Sequence, residues 1–231
     1  MKILAVDTAT RTCSVAVVDE ESVISEYTVN HQDTHSKFLM GMIHDILDIC
    51  RLTVNDLDGF AVTIGPGSFT GLRIGLSTIK GLALATAKPV VGASSLEALA
   101  YQISGSDKLI CPMLDARRKE VYTARYRLRG LKLESEQLPL AVSPEKAIEN
   151  INTPCIMVGD GSMLYQDLIK SSLGPMVVFA NFTQHIIRAS TVGHIAMQRF
   201  KSNDTDDVRR IEPFYIRKSD AEKNLRINHS G

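Results

Sequence analysis

The order of predicted secondary structure elements repeats along this chain of 231 residues. The pattern strand-strand-strand-helix-strand-helix describes the chain up to about residue 103 and describes it again from Lys108 onward. Strands joined by short turns pair antiparallel, whereas a strand reached through a helix is usually parallel. The sequence therefore predicts two tandem lobes, each built on a mixed sheet. The elements of the first repeat are strands over 3–7, 14–18 and 22–29, a helix over 36–50, a strand over 59–64 and a helix over 70–87.

Two mixed-sheet lobes in tandem are the architecture of actin, hexokinase and the Hsp70 ATPase. The predicted fold class is therefore α/β, with two tandem actin-like, ribonuclease H-like (ASKHA) lobes. We expect the first lobe at 1–105, joined by part of the C-terminal segment, and the second lobe at 106–210. Residues 211–231 form a C-terminal segment with a polar tail.

Composition limits the classes of function. Lys and Arg total 26 and Asp and Glu total 26, so the net charge is zero and any RNA contact must be local or shared with a partner. The four cysteines contain no C-x-x-C pair, which argues against zinc and against a disulfide framework. No apolar stretch approaches membrane-spanning length, and the N-terminus is too short for a signal peptide. We expect a cytoplasmic protein that does not bind a membrane.

The segment 59–75 carries the densest motif of the chain. An apolar strand runs into Gly65-Pro66-Gly67-Ser68, and a helix begins at about Thr70. Glycines around a proline favour a tight turn, and free backbone N–H groups at a helix start often hold phosphate. The segment lacks the Lys-Ser/Thr pair of a P-loop and does not match G-x-G-x-x-G. From this segment alone, both a ligand and a protein remain candidate partners.

The helix over 70–87 contains three glycines, and interior glycine costs a helix about 1 kcal/mol against alanine. Gly71 and Gly75 lie on one face, where small residues let another backbone approach closely. We interpret this helix as intersubunit, with burial in its own lobe as the alternative. For Arg73 near the helix start we expect a carboxylate or carbonyl partner. A leucine at Gly75 should weaken association while the fold survives. The predicted interface comprises Gly67, Phe69, Gly71, Leu72, Arg73, Gly75, Leu76, Leu39 and Ile43.

Four positions are candidate nucleotide contacts: Asp7 and Asp115 at strand ends, and Gly159 and Gly161 in a later turn. Ala9 stands where a glycine would help backbone approach phosphate, so ordinary strand-end turns are the alternative. We assign no cofactor to this chain alone, although ATP or ADP could bind within a complex.

Other polar groups give weaker signals. Arg125, Arg127 and Arg129 alternate along a strand and are candidate RNA contacts, with a solvated sheet face as the alternative. His31 and His35 do not match a metalloprotease motif, and no serine matches G-x-S-x-G. We therefore predict no metal site and no catalytic residues.

The chain resembles the bacterial TsaB (YeaZ) family over most of its length. The most specific match is the block Gly-Pro-Gly-Ser-Phe-Thr-Gly-Leu-Arg that begins at Gly65. The other matching segments occur in the family's order at 3–8, 13–16, 35–36, 80–82, 94–98, 115–118, 120–122 and 213–217.

This resemblance implies a non-catalytic subunit needed, with the catalytic subunit TsaD and the ATPase TsaE, to transfer threonylcarbamoyl to tRNA. The acceptor is N6 of the adenosine beside the anticodon in tRNAs that read codons starting with A. The resemblance also implies a homodimer when the chain is alone, and tRNA contact through the complex. Two alternatives remain: an ATP-binding small-molecule kinase or ATPase of the same fold, and a glycoprotease-like peptidase.

Overall fold

The computed structural model describes residues 1–30, 34–103, 105–130 and 132–216. The elements of the first repeat are, in chain order, β1 (Ile3–Asp7), β2 (Thr12–Val18), β3 (Val23–Asn30), α1 (Leu39–Ile49), β4 (Gly59–Gly65), α2 (Phe69–Thr86), β5 (Val90–Ser94) and α3 (Ser95–Tyr101). Its strands form a mixed sheet in the order β3-β2-β1-β4-β5. Strand β1 pairs antiparallel with β2 and parallel with β4, as the connection lengths predicted.

The second repeat has the same topology, with the strand order β10-β9-β6-β7-β8. Strand β6 takes the place of β1, because it pairs antiparallel with β7 and parallel with β9. Between β9 and β10 the chain forms two helices that meet at Tyr165. The elements are β6 (Leu109–Arg117), β7 (Glu120–Arg129), β8 (Lys132–Val142), α4 (Pro144–Ile148), β9 (Cys155–Val158), α5 (Asp160–Leu164), α6 (Gln166–Leu173), β10 (Val177–Phe179) and α7 (Ala189–Lys201).

Alternating side chains of the strands divide the core into layers. On β1, Leu4 and Val6 pack with the apolar faces of α1 and α2. Ile3 and Ala5 point to the opposite side, into a cluster that also contains Ile110 of β6. Strand residues alternate between the two faces of a sheet, and the central strands β1 and β6 are buried on both sides. Helices α3 and α7 lie in the shared layer between the two sheets.

Helix α7 was expected in the second lobe, but it packs on the first sheet. Its Gly193 lies over β1 and β2, where an added Cβ would come within 2.6 Å of Val18 Cγ2. The chain after α7 also returns to the first lobe, because Asp206 N donates to Val90 O and Phe214 N donates to Ile64 O. The first lobe is thus completed by residues from 189 to at least 214, a longer segment than the sequence indicated.

The predicted two-lobed actin-like fold is confirmed by this topology. Among the described helices, none has the length and hydropathy that crossing a membrane requires. Residues Arg217 to Gly231, most of the predicted C-terminal segment and tail, lie outside the described residues, as does His31.

Candidate partner interface and strand-end loops

The glycine-rich loop after β4 packs against the turn that follows β1. An added Cβ at Gly67 would collide with the Ala9 carbonyl, and Ser68 N donates to that same carbonyl at 2.7 Å. Ser68 Oγ accepts from Gly71 N at 3.2 Å and so caps α2. Gly65 has a φ of +121°, and an added Cβ there would lie 2.7 Å from Phe214 O. Two of the loop's amides are therefore satisfied within the lobe, and its glycines serve close backbone packing.

Gly71 and Gly75 face the first lobe itself. An added Cβ at Gly71 would collide with Thr8 O, and one at Gly75 would collide with Thr8 Oγ1. Thr8 Oγ1 also donates to Gly71 O at 2.8 Å, which ties the end of β1 to α2. These two glycines are explained by burial in their own lobe, the alternative that the sequence left open.

Other predicted interface residues are buried as well. Leu72 and Leu76 of α2, and Leu39 and Ile43 of α1, all lie in the hydrophobic cores of the chain. Their side chains help to hold α1 and α2 on the sheet and do not form a surface for a partner. Gly67 and Phe69 remain partly exposed, and Arg73 is exposed.

Both helices also carry exposed positions on their outward sides. Met40 of α1 and Leu84 of α2 are each 54% exposed. Beside them, Gly41 and Gly81 have no described atom within 4 Å of the position of an added Cβ. We call these four residues the α1/α2 face. The sequence analysis counted Gly81 among the glycines of its helix but overlooked Gly41. The position of Gly41 inside the amphipathic helix α1 could have indicated a site of close contact.

Arg73 is held by aromatic groups. Its Nε donates to the Tyr215 hydroxyl at 3.1 Å, and its guanidinium lies 3.9 Å from the centre of the Phe69 ring. The rings of Phe69 and Tyr215 stack with their centres 4.9 Å apart. The expected carboxylate or carbonyl partner is therefore replaced by a phenol and a ring face, both acceptors for a cation. Tyr215 thereby attaches the C-terminal segment to the start of α2.

Asp7 is fully buried at the end of β1. One carboxyl oxygen accepts from Thr63 Oγ1 at 2.7 Å and from Ala9 N at 3.1 Å. The other oxygen, Oδ2, is buried without a hydrogen-bond partner among the described residues. Burial raises the pKa of Asp7 to about 7, and the two hydrogen bonds oppose that rise. A fully buried carboxyl group does not fit a metal ion that must also bind the phosphate of a nucleotide entering from solvent.

The other nucleotide candidates lie at the end of β6. Gly159, with φ +102°, packs against the Met113 carbonyl, and an added Cβ at Gly161 would lie 2.8 Å from the Leu114 carbonyl carbon. Asp115 N donates to Asp160 Oδ1 at 3.1 Å, and Asp115 Oδ1 accepts from Arg117 N at 2.8 Å. At both glycines, backbone atoms of β6 occupy the space that a side chain would need. In the described part of the chain, no three His, Cys, Asp or Glu residues are grouped to hold a metal ion.

The three arginines predicted to contact RNA have partners in their own lobe. Arg127 pairs with Glu136 at 2.6 Å, and Arg129 pairs with Glu134 at 3.0 Å. Arg125 donates to the carbonyls of Ala147 and Glu149. Two of the three positive charges are therefore balanced locally, and this supports the solvated sheet face that was the alternative reading. The RNA contact stays a prediction.

The fold and its loops define a class. The chain is an actin-like protein of two fused ribonuclease H-like lobes, in which the Gly65–Gly75 segment and the β6 end pack against the chain's own backbone. Residues 22–225 match the family model of TsaD, described as tRNA N6-adenosine threonylcarbamoyltransferase.

Relatives over nearly the whole chain are more specific. The tRNA threonylcarbamoyladenosine biosynthesis protein TsaB of Bacillus subtilis is 33% identical, over 96% of each chain. TsaB of Escherichia coli is 32% identical, over 97% of this chain and 98% of its own. The structure of YeaZ from Pseudomonas aeruginosa is 26% identical, with a TM-score of 0.80 over 93% of this chain and 99% of its own. The chain belongs to the TsaB (YeaZ) family of tRNA threonylcarbamoyladenosine biosynthesis proteins.

Proposed function

We propose that this chain is a non-catalytic subunit that activates a TsaD-type partner, which transfers threonylcarbamoyl to tRNA. The observation that carries the proposal is the state of the strand-end loops. Asp7 is buried, and the glycines that would approach phosphate are covered by backbone. Membership of the family indicates a role in tRNA threonylcarbamoyladenosine biosynthesis. The closed loops support the view that the reaction takes place on the TsaD-type partner. They also favour this function over an ATP-binding kinase or ATPase.

We propose that the TsaD-type subunit binds the α1/α2 face. Gly41 and Gly81 each cost their helix about 1 kcal/mol, and nothing described in the chain packs where a side chain would be. Close approach by a partner helix would account for both glycines. The exposed side chains of Met40 and Leu84 would supply apolar area for association.

The same face would serve self-association when the partner is absent. A homodimer would bury Met40 and Leu84 of both copies, because a two-fold contact uses the same patch twice. The TsaE-type ATPase would join the heterodimer, with ATP or ADP at a shared interface and tRNA bound through the assembled complex in the cytoplasm.

Calorimetry with a purified TsaD-type protein tests this interface. We expect Leu84→Asp to weaken binding at least tenfold, because a buried unpaired charge is costly. Leu164→Asp is the matched control, since Leu164 is 59% exposed on α5 of the second lobe. Equal affinities for Leu84→Asp and Leu164→Asp would show that the partner binds elsewhere.

Reconstitution tests the function itself. Threonylcarbamoyl transfer to tRNA by the TsaD-type and TsaE-type proteins is measured with and without this chain. We expect transfer to depend on the chain and to survive Asp7→Asn, because no reaction step uses Asp7. A transfer rate that is unchanged when the chain is omitted would refute the proposal.

A further inference from the structure

An open cavity of about 330 Å³ lies where the two lobes and the C-terminal segment meet. The first lobe contributes Ile64 and Glu97, the second contributes Tyr126 and Leu138, and Phe214 closes one side. The volume is at the lower end of the range for small-molecule sites. None of these five residues belongs to the α1/α2 face.

Among the described residues that line the cavity, Glu97 alone has a carboxyl group, and none is basic. Glu97 lies in the first turn of α3, and burial raises the pKa of its carboxyl group. The cation that opposes this rise is Arg199, which is already paired with Asp204 at 2.7 Å and with Asp206 at 3.1 Å. Arg199 therefore already has two carboxylate partners apart from Glu97.

The walls of the cavity are apolar and aromatic. Ile64 and Leu133 are partly buried, whereas Leu138 at the rim is 75% exposed. The rings of Tyr126 and Phe214 line the same space, and aromatic rings attract cations. Burial raises the pKa of Tyr126 to about 12, so its hydroxyl stays protonated at neutral pH. A ligand here would meet the carboxyl group of Glu97 within apolar surroundings.

We propose that this cavity binds an organic cation: one ammonium or guanidinium group carried on an apolar or aromatic stem. The charge would pair with Glu97, and the stem would lie between Leu133, Leu138 and Phe214. The site is independent of the proposed scaffold function, because neither its lining residues nor its ligand takes part in that interface.

Phenethylammonium is a suitable probe, and 2-phenylethanol is its neutral counterpart of similar shape. Titration calorimetry of the full chain should detect the amine and give at least tenfold weaker binding of the alcohol. Glu97→Gln should weaken binding of the amine at least tenfold, because the substitution removes the carboxylate charge and keeps the shape of the side chain. Glu21→Gln, an exposed glutamate in the turn after β2, is the matched control and should leave affinity unchanged. Equal binding of amine and alcohol, or full affinity in Glu97→Gln, would overturn the proposal.

A second variant acts through volume instead of charge. Ser135 lines the cavity from an exposed position, and Ser135→Trp should fill it and abolish amine binding while the melting temperature stays within a few degrees. Amide shifts in a titration followed by nuclear magnetic resonance should map to Ser135 and Leu138. Undiminished amine affinity in Ser135→Trp, or shifts confined to another surface, would contradict the site.

The cation could come from a free amine or from the chain's own basic side chains after Ile216. The full chain with Arg217, Lys218, Lys223 and Arg226 all changed to Gln distinguishes these sources. Tighter binding of phenethylammonium by this variant would identify the chain's own side chains as competitors, and unchanged binding would identify a free amine. Loss of amine binding by the folded variant would overturn the proposal, because every lining residue precedes Arg217.

Discussion

Asp7 is an acid whose environment favours its neutral form. The pKa rises from 3.8 to about 7 because the carboxyl group is fully buried. Cys13 is nearby, and burial together with the Asp7 charge raises the pKa of its thiol to about 12, so that group stays neutral. In the unfolded chain Asp7 loses its proton near pH 4, whereas in the folded chain it keeps the proton until about pH 7.

The sign of the pH dependence follows from these two values. Between pH 4 and 7 the folded state binds more protons at Asp7, so this residue's contribution to stability falls as pH rises and is level above about 7. We expect Asp7→Asn to gain stability over wild type across that window, by up to about 4 kcal/mol. Urea unfolding at pH 4.5 and 7.5 measures the difference in the free energy of unfolding between Asp7→Asn and wild type. A difference that does not increase with pH would show that Asp7 is not the titrating group.

The turn between β6 and β7 is strained and basic. Arg117, Arg118 and Lys119 have φ values of 62°, 56° and 61°, a region that side chains other than glycine rarely adopt. We expect Lys119→Gly to stabilise the chain by about 1 kcal/mol in urea unfolding. The same change at Lys170, inside α6, should cost about 1 kcal/mol. A loss of stability in Lys119→Gly would mean that the Lys119 side chain makes a compensating contact.

At the scale of one element, helix α2 shows what sequence reasoning could reach. Its predicted range of 70–87 agrees with Phe69–Thr86, because Ser68 and the surrounding glycines mark the start clearly. The orientation of its glycines could not be predicted. Gly71 and Gly81 look alike in the sequence, but only Gly71 is covered by another part of the chain. The residue that covers it is Thr8, which is 63 residues away along the chain.

Two substitutions on α2 separate these glycines. Gly75→Ala should destabilise the isolated chain by about 1–3 kcal/mol, because its Cβ collides with Thr8 Oγ1. Gly81→Ala should stabilise it by about 1 kcal/mol, because its Cβ meets open space. The leucine at Gly75 considered from the sequence would therefore damage the fold before it tested any interface. Equal unfolding midpoints for the two alanine variants would contradict this assignment.

At the scale of the whole molecule, the two lobes share one hydrophobic layer. Residues of both sheets and of α3 and α7 lie in the same cluster, in which Leu99 is fully buried. The repeated topology could be predicted from connection lengths. The position of α7 could not, because an amphipathic helix does not specify which of two similar sheets it covers.

The shared layer predicts cooperative unfolding of both lobes. Leu99→Ala should cost about 3 kcal/mol and reduce amide exchange protection equally in β1 and β6. If the lobes unfold as one unit, Ile169→Ala in the separate core of the second lobe should also reduce amide exchange protection equally in β1 and β6. Protection in β1 that is unchanged by Ile169→Ala would show that the lobes unfold separately.

The packing of α7 on β1 and β2 has a consequence for synthesis on the ribosome. Strands β1 and β2 emerge before α7, so the apolar side that α7 covers stays exposed until Ala189–Lys201 has been translated. Phe214 and Tyr215, which close the loop after β4 and hold Arg73, emerge later still. We therefore expect nascent chains to expose Ile3, Ala5 and Val18 until α7 has been translated, and in that interval transiently exposed apolar strands favour aggregation.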